Sequence, residues 1–152
     1  MLTQLLLGMA IFISNVIIET LTVGAVVLLL VRIFSRTRIG TSRLREGLSL
    51  ATTMLMMFLG HLVQIAIWAF VFKAIGEFDG FAAAFYHSTV NFSTLGYGDL
   101  VMSDQWRLLG ALEAGTGVMM FGVSTAVFFA MLAKIIERRL GRRWHEIHSA
   151  GR

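Results

Sequence analysis

Residues 94 to 99 read Thr94-Leu95-Gly96-Tyr97-Gly98-Asp99, and their types suit one kind of chemistry, the holding of a dehydrated cation. An ion that sheds its water to enter a narrow passage needs closely spaced oxygen dipoles in place of its hydration shell. Side chains alone supply too few oxygens here, so the backbone carbonyls must act. Aiming successive carbonyls at one axis requires the chain to alternate between ordinary and left-handed conformations, and glycine visits the latter at little cost. Gly96 and Gly98 provide that freedom. Thr94, Leu95, Gly96 and Tyr97 are then the carbonyl ligands, the Thr94 hydroxyl adds oxygens at the inner end, and Gly98 and Asp99 support the strand. Tyr97 is expected to point away and brace it from behind. One such strand cannot enclose an ion; four chains around an axis can, which predicts a homotetramer or a fourfold mixture of close relatives.

The elements that hold this strand follow from the solvent they need. Of 152 residues, 57% are hydrophobic and 14% charged, far from the composition of a soluble globular domain. Without cysteine there is neither a disulfide framework nor a thiolate metal site. The net charge of +4 comes from arginines beside apolar segments, which argues for cytoplasmic loops and anionic headgroups and against nucleic acid. The apolar start of the chain lacks a basic n-region and is expected to be a retained helix.

Residues 2–34, 48–75 and 107–136 are each apolar and longer than the ~20 residues that a ~30 Å hydrocarbon core demands. Residues 81–93 are too few to cross and predict a re-entrant helix, its C-terminal dipole facing the ion. Asp79 is a candidate N-cap for that helix. The fold class is therefore an all-α membrane protein with three transmembrane helices, a re-entrant helix and the loop of residues 94–99. Arg32, Arg36, Arg38, Arg43 and Arg45 crowd the end of the first helix and the linker 35–47, and Lys134, Arg138, Arg139, Arg142, Arg143 and Arg152 crowd the end of the third helix and the tail 137–152. Both regions are predicted to be cytoplasmic, whereas Glu77, Asp79, Asp99 and Asp104 place the intervening segment outside. A cell-membrane protein with its N-terminus outside and its C-terminus inside satisfies all three. The tail reads as a helical extension with Gly141 as a candidate break and Trp144 as an interfacial anchor.

With these features together, residues 48–139, about 60% of the chain, resemble the pore module of potassium channels, in particular small bacterial ones. The resemblance implies an outer helix, pore helix, filter and inner helix, a fourfold assembly, and potassium ions as the transported species. It also implies a glycine hinge or small-residue seam in the inner helix, at Gly117 and the Phe121-Gly122 pair, and a basic residue opening that helix, Arg107 after Trp106. Where the family commonly has a proline after the filter aspartate, this chain has Met102, and where some relatives have a glutamate behind the filter it has Val90. Asp99 then needs another partner, for which Tyr86 and His87 are candidates. The first helix lies outside the two-helix plan, and its arginines cluster at one end, unlike a voltage sensor.

Intramembrane carboxylates are costly unless paired or wetted, which singles out Glu19 and Glu113. Glu19 and His61 fall at similar depth, about 20 Å from the cytoplasmic ends at 1.5 Å per residue, with Asn15 and Gln64 one turn further out. An interhelical contact between them serves either as structural glue or as a pH-responsive gate. Glu113 is placed to hydrogen-bond the back of the re-entrant helix near Tyr86 or Asn91, or less readily to meet an ion. Gly117 and Gly122 suit close packing or a bend. Phe128 and Phe129 sit where inner helices would converge and suit a dewetting gate or a lipid-facing surface. Passive potassium conduction is the leading function. A weakly selective cation pore and a non-conducting regulatory subunit are the alternatives, and no nucleophile-base pairing points to an enzyme.

Overall fold

The computed structural model describes residues 1–35 and 43–149, and side chains within this except 34, 35 and 142–149. Arg36, Arg38, Arg152 and the side chains of Arg142, Arg143 and Trp144 lie outside the described residues. Four helices make up the chain: α1 (Leu2–Ser35), α2 (Arg43–Ala74), α3 (Phe81–Phe92) and α4 (Arg107–Ser149). Among the described residues there is no strand. Three of the helices, over Leu2–Ile33, Arg43–Ala74 and Arg107–Gly141, are long and apolar enough to cross a membrane. α2 begins at Arg43, ahead of the expected 48, and α4 continues through Gly141, so the tail is a direct extension of the inner helix and not a separate piece.

No proline interrupts these helices, and their hydroxyl side chains satisfy themselves locally. Ser14, Thr20, Thr22, Thr52, Thr53 and Thr116 each donate to the carbonyl four residues earlier, at 2.8 to 3.0 Å. That is the least costly arrangement for a hydroxyl in hydrocarbon, where no water can substitute. The outward faces remain apolar, with Leu6, Ile13, Leu21, Phe58 and Phe70 among the exposed large side chains.

The core gathers all four helices around α3. Ile11 of α1, Ile65, Trp68 and Phe72 of α2, Ala84 and Phe92 of α3, and Leu109 and Met120 of α4 are buried together. Glycines set the closest approaches. A methyl on Gly117 would fall 1.9 Å from the Phe92 carbonyl oxygen, and one on Gly60 would fall 2.9 Å from the Thr22 hydroxyl. α2 stops in a Schellman turn at Gly76 (φ +80°), where the Gly76 amide donates to Lys73 and the Glu77 amide to Phe72. The chain is thereby turned into α3.

Candidate functional site

α3 delivers the chain to the Thr94–Asp99 strand through its own C-terminus. Gly80, not Asp79, occupies the N-cap, and no side chain caps the helix there, so the expected Asp79 cap is corrected: Gly80 already has the extended backbone the position requires. At the other end Ser93 is the C-cap. The Thr94 amide donates to the Asn91 carbonyl (2.8 Å), and the Leu95 and Gly96 amides both donate to Val90 (2.9 and 3.4 Å). These bonds turn the first amides of the strand back toward the helix.

The strand alternates. Thr94 (φ +60°), Gly96 (φ +60°) and Gly98 (φ +73°) are left-handed, while Leu95 and Tyr97 between them are not. In an extended chain, alternating handedness rotates successive peptide planes so that their carbonyls share one side. Sequence reading located the two glycines; it did not locate Thr94, a β-branched residue for which this conformation costs on the order of 1–3 kcal/mol. Its amide bond to Asn91 and the cap at Ser93 are what hold it there.

Behind the strand, two neighbouring side chains of α3 grip its exit. The Tyr86 hydroxyl donates to Asp99 Oδ2 at 2.7 Å, and the Leu100 amide donates to Asp99 Oδ1 at 3.0 Å. The Tyr86 bond, foremost, holds the Asp99 carboxyl below the usual aspartate range, and the same bond raises the Tyr86 phenol. Buried His87 lies 2.9 Å through Nδ1 from the Leu100 carbonyl and 2.8 Å through Nε2 from Asn91 Nδ2. A carbonyl can only accept, so Nδ1 carries the proton and Nε2 accepts from the Asn91 amide. Phe72 and Phe78 pack on the ring. Of the two partners expected for Asp99, Tyr86 makes the bond and His87 takes the next residue.

Glu77, counted only as a charge in the sequence, anchors the loop after the strand by accepting from the Ser103 amide (2.7 Å) and hydroxyl (2.6 Å). Arg107 pairs with Asp104 at 3.0 Å on the exposed surface. An open cavity of about 560 Å³ lies behind the strand, between α3 and α4, lined among others by Val90, Asn91, Gly98 and Ala111.

Glu113 is fully buried against α3, facing Ser88 and Asn91 without a hydrogen bond of ordinary geometry to either. Glu19 and His61 approach to 3.6 Å. Gln64 donates to Glu19 at 2.8 Å, whereas Asn15 is buried without a partner in that group. Gly117 meets the Phe92 carbonyl, as a packing contact would, and Gly122 has open space beside it. Phe128 lines a crevice with Met57 and His61 of α2, and Phe129 is exposed beside it, the two rings meeting edge-on with centroids 6.1 Å apart. Among the described residues no group of three His, Cys, Asp or Glu side chains could hold a metal ion.

A family model described as an ion channel matches residues 56–134, from within α2 to within α4. The chain belongs to that ion channel family. The match spans the pore module of potassium channel type, two spanning helices with the re-entrant α3 between them, and leaves α1 outside it. No curated protein and no solved structure matches the chain. As an ion channel with three apolar helices long enough to span, it is a multi-pass membrane protein.

Proposed function

We propose that the chain is one of four subunits of a potassium-selective channel, in which the carbonyls of Thr94, Leu95, Gly96 and Tyr97 replace the hydration shell of the transported ion. The observation that carries this reading is the alternation of left-handed Thr94, Gly96 and Gly98 with ordinary Leu95 and Tyr97. A strand so built presents carbonyls to one side at a spacing suited to successive dehydrated ions, and four copies complete each ring. Leu95 and Tyr97, 55% and 66% exposed in the single chain, are apolar surface that neighbouring subunits would cover. The open cavity behind the strand offers them a place.

Each group then has a part in conduction. Glu77, Asp79, Asp99 and Asp104 make the outer mouth acidic and raise the local cation concentration. Tyr86 and His87 hold the exit of the strand, and the Phe92–Gly117 contact seats α3 against the inner helix. Ions move passively down their gradient, so no covalent step and no enzyme activity are involved. The arginine clusters orient the chain in the cell membrane, N-terminus outside and C-terminus in the cytoplasm, against anionic lipids.

Purified protein in liposomes loaded with potassium should show a flux that sodium cannot replace and barium blocks, and cross-linking should stop at four copies. Equal sodium and potassium fluxes would replace this reading with a weakly selective pore. No flux would favour a non-conducting subunit.

A further inference from the structure

α1 lies outside the matched module, yet it reaches the inner helix through a buried polar junction. Glu19 of α1 is buried, and so are His61 and Gln64 of α2. Ser124 of α4 donates through its hydroxyl to Glu19 Oε1 at 2.9 Å, and Gln64 donates to Glu19 Oε2 at 2.8 Å. The Ser124 oxygen also lies 3.0 Å from His61 Nε2. A serine hydroxyl has one proton. Since it is given to Glu19, His61 Nε2 must carry its own and donate to Ser124. The bonds therefore run in one sense, from His61 to Ser124 to Glu19, with Gln64 arriving from the other side. Three helices meet at a single carboxylate. Phe92, from the end of the re-entrant helix, and Phe121 pack on the His61 ring, so the junction also touches the element that carries the strand.

Such an arrangement exceeds what packing needs. α1 and α4 already pack through apolar residues such as Ile11 and Met120, and a carboxylate at this depth is costly unless it is needed. Below the junction α4 meets α2 twice more, where the Met131 sulfur packs 3.2 Å from the Thr53 hydroxyl oxygen and where Arg139 donates to Glu46. All three contacts join the inner helix to α1 or α2.

We infer that Glu19 of α1 is a positioning residue of the pore, a tether acting through Ser124 that keeps the inner helix drawn toward the outer layer and the conduction path wide. The inference rests on the channel reading above, with α4 as the inner helix. Its charge has a further consequence. The titratable or charged group that faces His61 is Glu19, from α1; α4 presents Ser124, Phe121 and the Met120 carbonyl, and α3 presents Phe92. A second proton on the His61 ring places an ion pair across the junction and tightens the tether, so flux rises on acidification from about pH 7 to about pH 5.

The test is potassium flux from liposomes carrying the full chain, with Glu19→Ala, Glu19→Gln, Ser124→Ala and the double variant Glu19→Ala/Ser124→Ala, each first checked for assembly by size exclusion. Glu19→Ala and Ser124→Ala should each lower flux by about fivefold or more, and the double variant should be no worse than the stronger single one, the non-additivity expected of two ends of one tether. Glu19→Gln, whose amide oxygen still accepts from Ser124, should assemble, recover most of the flux and lose the pH dependence, as should His61→Gln. Unchanged or raised flux in the alanine variants, additive losses in the double variant, or a pH profile that persists in Glu19→Gln would overturn the inference. If Glu19→Ala does not assemble, Ser124→Ala and Glu19→Gln decide it alone. A parent chain with no flux overturns the channel reading itself; a conducting parent with insensitive variants overturns only the tether.

Discussion

Thr94 is a residue in a conformation that its own side chain resists. The strand as a whole survives because three of its first amides are bonded back to the end of α3. Glycine relieves the same conformation at residues 96 and 98, so adding a methyl there imposes a cost of about 1–2 kcal/mol per position. Gly96→Ala is expected to remove potassium flux from liposomes while leaving helix content by circular dichroism unaltered; retained selective flux would contradict a carbonyl filter. The exit of the strand is sensitive to acid in a defined direction. Because the Tyr86 hydroxyl holds the Asp99 carboxyl below its ordinary value, the contribution of that bond is present above the ordinary aspartate pKa and is lost as pH falls through the lowered one. Tyr86→Phe removes the principal cause of the shift. Its flux should therefore fail at a higher external pH than that of the parent, as read by titrating the outer solution. The two curves would coincide if Asp99 were held by something else.

At the scale of elements, the inner helix needs a glycine where α3 ends, and the structure distinguishes glycines that look alike in the sequence. Gly117 faces the Phe92 carbonyl, whereas Gly115 and Gly122 have nothing within 4 Å of where a methyl would sit. Gly117→Ala forces α3 and α4 apart, at a cost of about 1–3 kcal/mol. Gly115→Ala should be neutral or stabilising by up to ~1 kcal/mol through helix propensity. Thermal unfolding in detergent separates the two, and equal shifts would argue against the contact. That a small-residue seam exists was legible in the sequence at Gly117 and Gly122. Which member carries the contact was not, because it depends on the angle and depth at which α3 meets α4.

For the whole molecule, charges that read in the sequence as orienting signals also fasten the chain. Glu46, the lone acid among the arginines of the first connection, is buried and accepts from Arg139 Nε at 2.7 Å and from its terminal nitrogen as well. The pair joins the N-terminal turn of α2 to the C-terminal part of α4. Arg139→Ala should destabilise the chain by about 1–3 kcal/mol, less than for a wholly buried pair because the arginine is half exposed, and Arg139→Lys should restore only part of it. Unfolding temperatures of the two variants test this; a full rescue by lysine would mean that charge alone matters and not the two-pronged geometry.

The linear order of spans, re-entrant segment and Gly-Tyr-Gly strand was determined by the sequence alone, because each rests on a local property: apolar length against the thickness of hydrocarbon, and the freedom of glycine. The pairing of Glu19 with His61 was also within reach, since depth can be counted along a helix. What only the tertiary structure decided was which long-range partners the polar groups take. Ser124 joining Glu19, Glu77 taking Ser103, His87 holding Leu100 and Glu46 meeting Arg139 depend on how helices rotate and cross. Thr94 belongs with them. Its left-handed backbone runs against the preference of its own side chain and is imposed by hydrogen bonds to α3, so no local rule could have predicted it.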